Sequence, residues 1–431
     1  MLSLPCGRLS EDRFCDNVAP TSPPGVFMPE LSRRTLILTS LTLAMARPLL
    51  AASSAARLGE DVTVAARRSL LLNRGVNLSG WYGGWGDYSP EHLSTWTTPA
   101  DFAFIRATGL QYVRLCFDPV QLSVVGYDSA SSTAALARFD KSIDEILAAG
   151  LALSITVFPS SNYKHALLTP DGADQFIALW KFLATHFAAR DPERVFFDLL
   201  NEPEIDDPAK WNALQARVVD AIRSVDTQHT LIATGNRYAG IDELLLVSPL
   251  HDKNIVYTFH FYEPFPFTHQ GATWTKSTLS RLKDVPYPGD PEKLGPMVAN
   301  ANDPEVRDAL ASYASGDWDE STILHRLKQA RTWADTHHVT VICNEFGAFR
   351  DTIPEVPRAA YLHDVRTSLE TVHIPWAEWD YRGNFGIVTH GEDGSIVPET
   401  PILQALGLKV PPVVAPSILP AAAPNAGPAH P

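Results

Sequence analysis

The sequence predicts an α/β fold of the (β/α)8, or TIM, barrel type, one domain with a long connection after its sixth strand. Three observations predict it. Eight short apolar, β-rich runs recur between residues 71 and 379, helical patterns separate them, and several polar residues sit where the runs end. Being apolar on both faces, the runs read as buried parallel strands rather than as the alternating strands of a half-exposed sheet. The chain has 431 residues, 45% of them hydrophobic, enough for one barrel-sized core or two smaller ones. A doubly wound open sheet is the competing fold, but the Gly-rich phosphate turn it would carry after the first strand is missing.

The elements follow in order. Residues 1–56 read as an N-terminal extension and an export signal. Ser32-Arg33-Arg34-Thr35-Leu36 opens an apolar stretch, Leu36 to Leu50, that ends in the small residues Ala51, Ala52, Ala55 and Ala56. A twin arginine fits the route that exports folded proteins, to the periplasm or the medium. An uncleaved anchor is the other reading, but Arg47 and Pro48 interrupt a run already shorter than the roughly 20 residues a span needs. Met28 lies five residues before Arg33, so the first 27 residues, with Cys6 and Cys15, read as an over-long start.

The barrel domain is placed at 57–409. Its strands are Leu71 to Asn77, Tyr112 to Phe117, Leu153 to Phe158, Val195 to Leu200, Leu231 to Thr234, Ile255 to His260, Val339 to Asn344 and Pro375 to Trp379. Helices are expected at Pro99 to Thr108 after a Thr98 cap, Thr133 to Ala149, Ala173 to Ala189, Pro208 to Val225, Ile241 to Val247, Ile323 to His337 and Arg358 to Thr371. Gly109 and Gly150 supply the expected stops. The connection Tyr262 to Glu320 is rich in Pro and aromatic residues (Phe265, Phe267, Trp274, Tyr287, Trp318), as a functional loop over the strand C-termini would be. Residues 410–431 are almost all Pro, Ala and Val and read as a disordered tail.

Formal net charge is −14, from 35 Lys+Arg and 49 Asp+Glu, which argues against a nucleic-acid partner and suits a neutral substrate. Ten tryptophans offer flat apolar rings that stack on sugar faces, although many Trp are plain core. Cys116 and Cys343 each lie two residues from an inward-facing candidate, Arg114 and Glu345, so alternation points both inward. Their strands, the second and seventh, are not neighbours, which favours two free buried thiols over a disulfide. No nucleotide-type Gly-rich motif, clustered metal-ligand spacing or tandem repeat stands out.

The chemistry lies at the strand ends. Val195-Phe-Phe-Asp-Leu-Leu-Asn201-Glu202-Pro203 closes the fourth strand and Val339-Thr-Val-Ile-Cys-Asn-Glu345-Phe-Gly347 the seventh. Arg114, Asn201, His260, Tyr262 and Trp379 would face the same mouth. An Arg beside one carboxylate keeps it ionised, as a nucleophile needs, and a drier pocket keeps the other protonated, as an acid needs. Glycoside hydrolysis with retention uses such a pair about 5 Å apart.

Leu200-Asn201-Glu202-Pro203 and Asn344-Glu345-Phe346-Gly347, in this order, resemble the strand-four and strand-seven signatures of glycoside hydrolase family 5, the cellulase family. The resemblance spans roughly Leu71 to Gly386 and includes Arg74-Gly-Val-Asn77-Leu-Ser-Gly-Trp81, similar to the family's opening strand. It implies Glu202 as acid/base, Glu345 as nucleophile, Asn201 on the 2-hydroxyl of the sugar at subsite −1 and Arg114 near the nucleophile. His260 would support the acid/base, the Tyr262 hydroxyl would contact the nucleophile, and Trp379 would be the platform beneath the sugar. One departure stands out: where the family usually has a His after strand three, this chain reads Ile155-Thr156-Val157-Phe158-Pro159, and His165 is the candidate to reach the same space.

Plainer readings stand beside these. Asn-Glu-Pro is also an ordinary strand-to-helix turn; Arg114 could be a structural salt bridge, His260 and Tyr262 satisfied interior groups, and Trp379 core. Trp81, Trp85 and Trp274 divide evenly between sugar platforms and core. The implied function is an exported, monomeric retaining β-glycosidase acting on a β-glucan or similar polysaccharide or oligosaccharide, without metal or organic cofactor and without a stable membrane span. Alternatives are a glucanase or transglycosylase trimming a self-made exopolysaccharide, and a non-catalytic carbohydrate-binding barrel.

Overall fold

The computed structural model describes residues 62–84, 88–120 and 130–415. Eight parallel strands close into a barrel in sequence order, with β8 returning to β1. They are β1 (Arg74–Tyr82), β2 (Tyr112–Phe117), β3 (Ala152–Val157), β4 (Val195–Asp198), β5 (Thr230–Thr234), β6 (Ile255–Phe261), β7 (Thr340–Phe346) and β8 (Trp376–Glu378). The export signal and Trp85 lie outside the described residues. No helix among the described residues is long and apolar enough to cross a membrane.

The first strand begins three residues later than the sequence suggested. Leu70–Leu72 form a 3-10 turn that continues the helix Val64–Ser69, and Leu72 turns into the barrel floor. With Ala65 it plugs the barrel, packing against one residue from each of seven strands: Tyr112, Ala152, Phe196, Ile232, Val256, Ile342 and Ala377. The remaining strand, β1, contributes Gly75, because any Cβ there would meet the Tyr112 ring at 2.2 Å. Arg68 fixes the plug from below, bonding Glu193, the Gln228 carbonyl and Thr230.

One turn higher the lining becomes polar. Asn77, Arg114 and Ser154 stand in register across β1, β2 and β3, and strand alternation places Asp198 and Asn344 at the same height. The helices pack outside, as in Pro99–Thr108, which begins and ends as read and carries the Thr98/Asp101 capping box. Ile241–Leu244 is only one turn long.

Register shifts by one residue between β6 and β7, where Phe259 pairs with Cys343 but His260 pairs with Glu345. That extra residue corrects the inward reading of Cys343. Ile342 belongs to the barrel interior and Cys343 packs with the outer core, while Glu345 is brought round to face the mouth. Cys116 and Cys343 are both buried and free.

The connection after β6 is not an irregular loop. It holds four short helices, Phe265–Thr268, Ser277–Ser280, Pro291–Asn300 and Pro304–Ser315. It is sewn to the barrel by Thr268, which donates to the Tyr262 carbonyl at 2.6 Å, and by Phe349 N–H on the Thr268 carbonyl. A hairpin that the sequence reading missed, β9 (Val388–His390) with β10 (Ile396–Pro398), follows β8. The start of the expected tail is ordered by it, since Val414 bridges Ile396; residues 416–431 lie outside the description.

Candidate active site

Arg114 organises the mouth. Its guanidinium is 1% exposed and donates to Asp198 at 2.8 Å, Asn77 at 3.0 Å, Asn201 at 2.9 Å and the carboxylate of Glu345. Burial works against the charge, but Asp198, Cys116 and Glu345 outweigh it and raise the guanidinium further, so the cation is permanent. Asp198 is in turn held by Thr156 at 3.0 Å and Asn344 at 3.1 Å. A buried ion pair needs further hydrogen bonds to offset its desolvation, and these two donors join Arg114 on Asp198 Oδ2.

Glu345, 4% exposed, accepts from Arg114 on Oε1 and from the Tyr262 hydroxyl at 2.9 Å on Oε2. Burial, then the charges of Glu345 and Glu202, hold the Tyr262 phenol well above its ordinary value, so it stays protonated and donating. Glu202 is more open, with 27% of its side chain accessible, and its Oε1 lies 3.0 Å from His260 Nδ1. That nitrogen is also 3.4 Å from Glu345 Oε2. Ligand atoms of Glu202, His260 and Glu345 all lie within 4.8 Å of one another, the one group among the described residues with the geometry to hold a metal ion. Arg114 already supplies positive charge to Glu345, which opposes a cation there.

The backbone presents both carboxyls deliberately. Glu202 takes φ = +44°, an uncommon conformation for a side-chain-bearing residue, directly after Asn201, whose N–H bonds the Val157 carbonyl at 2.8 Å. After Glu345 the chain needs Gly347, where a Cβ would sit 2.3 Å from the Trp379 carbonyl. Trp379 N–H closes the same contact on the Phe346 carbonyl, and the Trp379–Asp380 peptide is cis.

The structure brings together Glu202, Glu345, Arg114, Asn201, His260 and Tyr262, with Trp379 on the adjoining wall. It corrects two weaker candidates. Trp81 is fully buried, donates its indole N–H to the Leu93 carbonyl and packs on Tyr82 and Phe102, so no sugar reaches it. His165 is turned to solvent on the helix Ser161–Ala166, 3.1 Å from Glu204. The space at the end of β3 belongs instead to Phe158, whose ring stacks on Trp379 at 5.7 Å and 13°. Trp274 is 54% exposed on the rim, edge-on to Phe349 at 4.8 Å. Phe385 links it to Tyr262.

Residues that sequence reasoning missed are Asp198, Phe158 and Lys164. Asp198 was signalled by its position, an acid within an apolar strand opposite a buried Arg. Lys164, 5% exposed and 3.3 Å from Glu204, gave no such signal.

A closed eight-stranded barrel with two carboxyls, an arginine and an aromatic platform at the strand C-termini defines a glycoside hydrolase. The chain belongs to the cellulase family, glycosyl hydrolase family 5, whose model matches residues 72–385. Endoglucanase 3 of Fibrobacter succinogenes is 31% identical over 343 residues, 74% of this chain but 51% of its own, so the chain spans about half of that relative. Endoglucanase C of Acetivibrio thermocellus is 29% identical over 315 residues, 72% of this chain and 90% of its own. In fold the chain is similar to Cel5A of Thermotoga maritima, solved with mannotriose (TM-score 0.63, 23% identity, 79% of this chain and 99% of that one). It is also similar to the cellulose synthase subunit Z of Clostridioides difficile (TM-score 0.62, 22% identity, 78% and 99%).

Proposed function

We propose that the protein is an exported, retaining endo-acting β-glucanase that cleaves β-1,4-linked glucose chains. The observation that carries the reaction is that an oxygen of each carboxylate lies within 4.8 Å of the other, both within hydrogen-bonding reach of the one His260 nitrogen. Inverting enzymes hold their carboxyls about 6.5–9.5 Å apart to admit a water, and retaining ones about 5–5.5 Å. The names of the endoglucanase relatives support the choice of substrate, and the twin arginine supports export.

In the first step Glu345 attacks the anomeric carbon while Glu202 protonates the departing oxygen, leaving a glycosyl ester on Glu345. In the second, Glu202 removes a proton from water as it attacks the same carbon, and Glu345 leaves as a carboxylate. Arg114 and Tyr262 stabilise that carboxylate. Asn201 spends its carbonyl oxygen on Arg114, which leaves its amide N–H groups for the sugar at −1. Trp379, extended by Phe158, supplies the apolar face beneath.

Purified protein tested on carboxymethyl-cellulose, mixed-linkage glucan, β-1,3-glucan and mannan, with chain-length analysis of products, checks the substrate. Rapid shortening of the cellulosic chains is expected. Glu345→Ala should abolish hydrolysis with an unchanged circular dichroism spectrum, and near-normal turnover in that variant would overturn the assignment.

A further inference from the structure

The end of β3, where the sequence departs from the family pattern, is built from Phe158 and the short helix Ser161–Ala166. Three side chains of that helix converge on one carboxylate in the next loop. Ser161 Oγ donates to Glu204 Oε1 at 2.8 Å, Lys164 Nζ donates to the same oxygen at 3.3 Å, and His165 Nε2 lies 3.1 Å from Oε2. Glu204 stands two residues after Glu202 on the same turn. The loop after β5 holds that turn from the other side. Tyr238 N–H donates to the Pro203 carbonyl at 3.2 Å, and the Asn236 amide donates to the carbonyls of Ile205 and Asp206, each at 3.0 Å. Glu202, with φ = +44°, therefore sits on a strained turn tied to both neighbouring loops.

Lys164 is the member of this cluster that tethering alone does not explain. Ser161 and His165 already give each oxygen of Glu204 a partner. Lys164 is buried, and burying an ammonium is unfavourable unless opposite charge surrounds it. Its Nζ lies 6.0 Å from the centre of the Phe158 ring, which stacks on the Trp379 platform, so the charge sits between Glu204 and the residues that line the site. Glu202 feels that charge. Burial pushes its carboxyl up, and the hydrogen bond from His260, followed by the charges of His260, Lys164 and Arg114, brings it below its ordinary value.

We propose that Lys164, anchored by Glu204, is a positioning residue that aims the Glu202 carboxyl at the oxygen of the departing sugar. The inference rests on the reading of Glu202 as acid/base. Lys164 acts through Glu202, whose proton passes to the leaving oxygen in the first step and whose carboxylate takes one from water in the second. A reacting group displaced by about 1 Å can lose as much as about 10²-fold in rate, so a tether that fixes its direction matters to both steps.

The test compares phenyl β-cellobioside, whose leaving oxygen needs a proton, with 2,4-dinitrophenyl β-cellobioside, whose leaving group does not. Lys164→Met keeps the apolar stem, and it should lower kcat/KM on the phenyl substrate about tenfold. On the dinitrophenyl substrate kcat/KM should stay within about twofold, while kcat and KM fall together because the attack of water still needs Glu202. Glu204→Ala cuts the tether from its other end and should give the same split, which keeps the test in force if circular dichroism shows Lys164→Met unfolded. Adding Lys164→Met to Glu202→Ala should cause no further loss. Equal losses of kcat/KM on both substrates, or a Glu202→Ala defect deepened by the full factor of Lys164→Met, would assign Lys164 to structure or to sugar binding and overturn the proposal. Wild-type protein inactive on both cellobiosides would instead overturn the β-glucanase reading, and this inference with it.

Discussion

Glu202 and Glu345 are the same side chain, and in the proposed mechanism only their contacts make one an acid and the other a nucleophile. Burial, the largest influence on both, pushes each carboxyl up. On Glu345 it prevails in the sugar-free site; on Glu202 the hydrogen bond from His260 overcomes it, helped by the charges of His260, Lys164 and Arg114. The permanent Arg114 cation and the Tyr262 hydroxyl both bond Glu345, which suits it to leave as a carboxylate, and the more open Glu202 is the one placed to exchange protons with a substrate oxygen or water. This assignment predicts that Glu202→Ala lowers kcat on cellulosic chains about 10²–10⁴-fold. On 2,4-dinitrophenyl β-cellobioside, whose leaving group needs no proton, bond cleavage should fall far less. Burst-phase kinetics separate the two, and equal losses on both substrates would refute the acid role. At this scale Asn201, Glu202 and Glu345 were legible because a carboxyl before Pro or beside Gly at a strand end is a local pattern. Phe158 was not, since its partner, Trp379, is far away in sequence.

Elements decide where those side chains point. The shift between β6 and β7 puts His260 opposite Glu345, which strict alternation from Ile342 would have sent outward. No sequence signal marks that extra residue, which explains why the orientation of Cys343 was misread. In β8 a second acid, Glu378, is 1% exposed with neither carboxylate oxygen hydrogen-bonded. Burial, with Asp380 and Glu399 adding to it against Arg358 and Arg350, raises it well above the carboxylate range. A raised acid contributes stability below its unfolded value of about 4.3, and that contribution is lost as pH rises through the folded value. Glu378→Gln should therefore match wild type near pH 4 and be more stable at pH 8, by about 1.4 kcal/mol for each unit of the shift that lies below that pH, with a correspondingly higher Tm. Equal Tm differences at the two pH values would rule out a protonated Glu378. Asp380, two residues on, is pushed up to about 6 by burial although Ser79 donates to it, so the stretch around Trp379 carries two raised acids.

Over the whole molecule, the barrel floor is closed by residues 64–72, a few positions beyond the expected signal. A chain cut within that plug would lose Ala65, Arg68 and Leu72 from the core. If the twin arginine directs export, the mature N-terminus read by mass spectrometry should fall between residues 51 and 62, and replacing Arg33 and Arg34 together by Lys should leave the enzyme inside the cell. Secretion undiminished in that double variant would exclude the route. The sequence by itself determined the barrel, because eight apolar runs buried on both faces have few other ways to close, and it determined the acid pair, because strand-end position is written locally. Only the tertiary structure decided which aromatic rings meet solvent. Trp81 and Trp274 look alike as letters near turns, but one is covered by Leu93 and Phe102, and the other is 54% exposed on the rim, held edge-on by Phe349. Burial depends on contacts between distant segments, and these exist only once the barrel has closed.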